Sequence, residues 1–133
     1  MTKSRAFAKN AADPATGLDH AVLLAAVDGD NDLIRSISGL FLDSYPVLLT
    51  PINDAIARND SNALVRAAHT LKGSGGYFLT DSARKTLADL EGMAHEGNLS
   101  NASERFAELK SEMERLEPEL LMLATEGLPG RED

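Results

Sequence analysis

In the stretch Ala67-Ala68-His69-Thr70-Leu71-Lys72-Gly73-Ser74-Gly75-Gly76-Tyr77-Phe78, the apolar residues are spaced as in a helix. Leu64, Ala67 or Ala68, Leu71 and Phe78 form one buried stripe. His69 precedes Leu71 by two residues, which turns it about 200° away, toward water. Lys72, Gly73 and Gly76 follow His69 at three, four and seven residues and share its exposed strip, which Arg66 joins from the other side. The glycines break a local rule. Three helical glycines cost about 2–3 kcal/mol against alanine if their effects add, so their presence points to a requirement other than folding. An imidazole with no side chain beside it at four and seven residues is one that a second protein can approach closely. A lysine one turn along puts a cation where a phosphoryl group on the ring would sit.

The segments on either side also read as helices. Residues 1–17 contain Asp13-Pro14 and Thr16-Gly17 and lack periodicity, which predicts a mobile tail. Leu18 to Val27 is a short apolar helix, ended by the Asp28–Asp32 turn, in which Asp30 caps the next segment. From Asn31 to Arg58 the stripe reads Leu33, Ile37, Leu40, Phe41, Tyr45, Leu48, Ile52 and Ile56, interrupted by Pro46 and Pro51. Each proline removes a donor and crowds the preceding turn, so the expectation is a kink or two helices meeting near Ser44–Pro46. Asn59 to Asn62 is a capped turn into the His69 helix, which ends near Phe78–Leu79.

Thr80-Asp81-Ser82 caps a helix over 83–96 with the stripe Ala83, Leu87, Leu90 and Ala94, and Gly97 ends it. Asn101 and Glu104 resemble a capping box. Phe106, Leu109, Met113, Leu116, Leu120 and Leu123 form the last stripe, with Pro118 expected to bend or fray its final turns and a flexible end over 126–133. Helices joined by short turns make an all-α, antiparallel up-down four-helix bundle with one additional short N-terminal helix, a single domain over 18–125.

Composition sets the outer limits. The chain has 133 residues, 43% hydrophobic and 26% charged, which suits one soluble domain with a real core. The formal charge of −8 argues against a nucleic-acid partner. No apolar run reaches the ~20 residues that cross a bilayer. The basic start lacks the apolar core of a secretory signal, so a cytoplasmic location is the default expectation. With no cysteine, disulfides and thiol chemistry are excluded. No convincing metal cluster is present, so no cofactor is expected on this chain.

His69-Thr70-Leu71-Lys72-Gly73-Ser74 resembles the signature of histidine-containing phosphotransfer domains, which carry phosphate in phosphorelays. The flanks extend the likeness over about Leu18 to Leu123: Phe41 with Pro46, the polar turn Asn59–Asn62, the alanine-rich approach to His69, the Leu90-Glu91 pair and Gly97. The run Gly75-Gly76-Tyr77-Phe78-Leu79 departs from it, with Tyr77 and Leu79 bulky where an Asn and a Gly are common.

The resemblance implies that His69 accepts a phosphoryl group from a receiver-domain aspartate and passes it to another, as a stoichiometric carrier and not an enzyme. An exposed imidazole is mostly neutral at pH 7, which leaves a ring nitrogen free to attack. Lys72 offsets charge on the phosphoryl oxygens. Receiver docking falls to Val65, Arg66, Gly73, Gly76 and Arg84, with both arginines adding to the field. Partners are response-regulator receivers or a hybrid sensor kinase, Mg²⁺ comes only with the receiver, and the chain acts as a monomer away from nucleic acid and membrane. The alternative is a bundle adaptor that binds a receiver or kinase without carrying phosphate, which the intact His69 disfavours. A third reading, an enzyme with His69 as general base, lacks a nearby carboxylate in sequence. Other features read as structural: Gly75 faces the core, His20 and His95 lack company, and the acidic face Glu104, Glu108, Glu112 and Glu114 is solvated surface.

Overall fold

Asp19, Asp30, Asp60 and Thr80 each stand just before a helical run, and each accepts a hydrogen bond from the backbone N–H three residues on, at 3.0–3.2 Å. These caps satisfy donors that a helix start leaves open. In a computed structural model that describes residues 18–128, they open α1 (His20–Ala26), α2 (Asn31–Ala57), α3 (Ser61–Gly75) and α4 (Asp81–Glu96). A 3₁₀ turn, Gly76–Phe78, follows α3, and α5 spans Ala102–Glu126. Gly97 ends α4 in the left-handed conformation at φ 73°. The expected tail over 1–17 and residues 129–133 lie outside the described residues.

Contacts between the helices fix their directions. Arg35 reaches the Glu126 carbonyl while Tyr45 bonds Glu117, so α2 and α5 run antiparallel. Lys72 meets Glu91 and Gly76 meets Arg84, so α3 and α4 do too. Thr86 bonds Glu112 while Asp89 faces Arg105, which opposes α4 and α5. Helices α2 and α3 reverse across a three-residue turn in which Asn59 takes φ 54°. Each long helix therefore packs on two neighbours, the up-down four-helix bundle that the sequence predicts. The short α1 leans on α2 and on the 3₁₀ turn.

One core runs through the bundle. Ile34, Ile52, Leu64, Leu71, Leu87, Leu90, Leu109 and Met113 are wholly buried, each worth about 1.5–3 kcal/mol of transfer free energy. The stripe of α2 sits partly off its expected face: Ile34, Phe41, Tyr45, Leu49, Ile52 and Ala55 point inward, whereas Leu33 and Leu40 are 42% and 66% exposed. This helix carries apolar residues on a wide arc, and spacing alone does not choose the buried part of it.

The prolines do not divide the helices. Pro46 and Pro51 lie inside a continuous α2, which excludes two helices meeting near Ser44–Pro46, and Pro118 lies inside α5, which continues unfrayed to Glu126. All three are exposed, as are Val47 and Glu114, four residues before Pro51 and Pro118, so the prolines lie on the solvent side of their helices. Burial of Tyr45, Leu49 and Ile52 elsewhere on α2 offsets the ~3 kcal/mol of each of its two prolines.

Three further expectations are corrected. Asn101 makes no side-chain cap, so the capping box with Glu104 does not form; Asn98 accepts from Ser100 one turn earlier. The chain does not come free at Glu126, because Leu128 is buried and its N–H donates to Asn31 Oδ1 at 2.8 Å. Glu112 is not merely solvated, since Ser82 and Thr86 donate to it across the α4–α5 seam.

Candidate functional site

Helix α3 is capped by Asp60, whose carboxyl is held below its ordinary range by the Ala63 N–H it accepts, with the nearby Arg58 and Arg66 charges adding to this. Leu64, Ala67, Ala68 and Leu71 are buried on its inner side. The two alanines let α3 lie close against its neighbours. The outer side is thereby fixed, and His69 is exposed on it at mid-helix, as its spacing predicts.

Lys72, one turn on, is also exposed, and its Nζ stands 3.0 Å from Oε1 of Glu91 on α4. Gly73 faces solvent, and a Cβ built there meets nothing within 4 Å. His69, Lys72 and Gly73 are thus all exposed on α3, and Gly73 leaves bare backbone one turn from the histidine.

Gly76 is different. Helix α3 stops at Gly75, and Gly76 takes φ 49°, ψ −123°, a backbone that favours glycine. Its expected place on a continuous helical strip is corrected: it is glycine because the chain turns there. Gly75 faces inward as expected, since a Cβ on it would lie 2.7 Å from Leu79 Cγ.

Arg84 turns back to this junction. Its Nη2 donates to Gly76 O at 2.7 Å and its Nε to Leu79 O at 3.2 Å. It holds the end of α3 against the start of α4, a task that its expected part in the field at His69 did not include. Val65 is half-buried and packs on the core, and Arg66 is exposed beside Thr70.

Two recesses flank the strip. One, of about 550 Å³, lies between α1, α2 and the end of α3 and is lined by Ile37, Leu40, Phe41, Gly73 and Tyr77 among others. The other, of about 470 Å³, lies between α2 and α3 and includes Asp54, Arg58, Arg66 and Thr70. His69 lines neither. Leu40 and Tyr77, 66% and 56% exposed, give the first recess an apolar rim that sequence reasoning missed. The spacing of Leu40 fits the core stripe of α2 as well as the exposed face, so it does not distinguish the two. The partnership of Glu91 with Lys72 was also missed, because it crosses between helices.

With this geometry in view, comparison with known proteins identifies the family. Residues 36–119 match the family model of the Hpt domain, and the chain belongs to that family. Hpt domains are helical phosphoryl-carrying modules of phosphorelays, and they interact with receiver domains and kinases of two-component systems. No curated protein and no solved structure matches the chain. Among the described residues, no helix is long and apolar enough to cross a membrane.

Proposed function

We propose that this protein is a phosphorelay intermediate whose His69 takes a phosphoryl group from a receiver aspartate and gives it to another receiver. The observation that carries this reading is the exposed His69 at mid-α3, with Lys72 one turn away and an open backbone patch at Gly73. The lone pair of the unprotonated ring nitrogen forms the N–P bond as the acyl O–P bond breaks, and that electron pair leaves on the aspartate carboxylate. The ring can then release its remaining N–H proton to water. Transfer to the second receiver reverses these steps. The phosphoryl transition state needs positioning and charge stabilisation more than covalent help. Lys72 supplies part of the charge, and Mg²⁺ on the receiver supplies the rest. This chain needs no cofactor of its own and works as a monomeric carrier in the cytoplasm.

The receiver docks over Gly73 and the apolar rim of Leu40 and Tyr77. The face fits a partner that must seat an aspartate against an exposed ring: apolar contact lies to one side and Arg66 to the other. The test is phosphotransfer profiling. The chain is incubated with each phosphorylated receiver of the host, and acid-labile, base-stable label on it is measured. Rapid label from one or a few receivers supports the reading. A stable complex with a receiver and no transferable phosphate would favour the adaptor alternative.

A further inference from the structure

Lys72 already has a partner before any phosphate arrives. Its ammonium lies 3.0 Å from Oε1 of Glu91, and the two side chains are unequally placed, 43% exposed for Lys72 and 17% for Glu91. The carboxylate is held against the α3–α4 seam, while the ammonium sits on a flexible four-carbon stem that can swing outward. Among the described residues, Lys72 is the one cation in ion-pair contact with Glu91.

We propose that Glu91 is a positioning residue that holds Lys72 in the unphosphorylated protein and yields it to the phosphoryl group on His69. This rests on His69 being the phosphoryl site. Lys72 follows His69 by three residues, so the two side chains are neighbours on one helix face. A phosphoryl group there brings a charge of about −1.5 to −2. One ammonium then stands between two anions, and the stronger takes it. The Lys72–Glu91 pair is complete only while His69 is unmodified. It therefore favours the unphosphorylated form and makes His69 a better donor. An ion pair this exposed is worth a factor of about 1.5–5 in an equilibrium constant. Glu91→Gln keeps the size and packing of the stem while removing the charge, and it shifts the phosphoryl equilibrium toward His69 by that factor.

The full chain is phosphorylated with phosphoramidate, a small donor that needs no receiver, and NMR follows the Glu91 side-chain carboxyl carbon and the Lys72 Nζ. Both signals are expected to move on phosphorylation, and the Glu91 signal is expected to stay put in Lys72→Gln. A Glu91 signal that does not respond in the wild type, or that responds equally without Lys72, overturns the proposal. The second measurement is the equilibrium division of phosphoryl between the chain and a receiver. Glu91→Gln is expected to raise the His69 share about 1.5–5-fold, and to do nothing in the Lys72→Gln background. An unchanged division overturns the proposal. If phosphoramidate labels His69 but no receiver exchanges with it, the relay reading falls while the NMR result still decides the role of Glu91. If His69 takes no label from phosphoramidate, both fall.

Discussion

The Arg84 guanidinium donates to the carbonyl of Gly76 at 2.7 Å, tying the first turn of α4 to the end of the helix that carries His69. The same side chain reaches Leu79 O, so two carbonyls past the end of α3 share one planar fork. Arg84→Ala is expected to lower stability by about 1 kcal/mol, read by thermal or urea unfolding. Arg84→Lys restores only part of this, because a single ammonium does not match both acceptors. A variant as stable as the wild type would show that the fork does not hold this junction.

Gly73 and Gly76 separate under alanine substitution. Gly73 is helical with open space around a Cβ, so Gly73→Ala is expected to gain up to about 1 kcal/mol of stability while slowing transfer with a receiver. Gly76→Ala forces a side chain onto φ 49°, ψ −123° and is expected to lose about 1–3 kcal/mol. Unfolding curves of the two variants check the opposite signs. Unimpaired transfer by the stabilised Gly73→Ala protein would remove close approach as the reason for that glycine.

Local features were readable in the sequence and contacts between helices were not. Asp30 caps α2 as expected, Asp60 and Thr80 supply the caps within the two turns read as capping, and Gly97 ends a helix, because each acts within three or four residues of itself. His69 was placed correctly because Leu64 and Leu71 fix the inner face of α3. Pro46, Pro51 and Pro118 do not divide their helices, since their cost is local while the burial that offsets it depends on tertiary packing. His20 was read as unaccompanied, yet it pairs with the buried Glu119, a contact across 99 residues that no periodicity reveals. Glu91 and Arg84 took their partners for the same reason.

Tyr45 gives the fold an alkaline limit. The residue is 3% exposed, and burial, followed by the Glu117 carboxylate that its hydroxyl faces, pushes the phenol far above its usual range. The folded state therefore holds this proton more tightly than the unfolded chain. The resulting stability is fully present below pH ~10 and is lost as pH rises beyond it. Unfolding free energies measured between pH 9 and 11.5 should fall more steeply for the wild type than for Tyr45→Phe. Parallel slopes would contradict the buried phenol.

Lys72→Ala separates chemistry from folding. The Lys72–Glu91 pair is exposed, so stability should change by no more than about 1 kcal/mol. Transfer from a phosphorylated receiver should slow by about tenfold or more, because a charge aimed at the phosphoryl oxygens is gone. Rapid-quench kinetics beside a melting curve measure both. A wild-type transfer rate would take Lys72 out of the mechanism.

The most direct measurement places label on a residue. The wild-type chain and His69→Gln are each incubated with a phosphorylated receiver, and the phosphoryl group is located by mass spectrometry under alkaline conditions that preserve N–P bonds. The account predicts label on His69 in the wild type and none on the variant, with both proteins equally folded. Label that persists in His69→Gln, or that maps to His20 or His95, would contradict it.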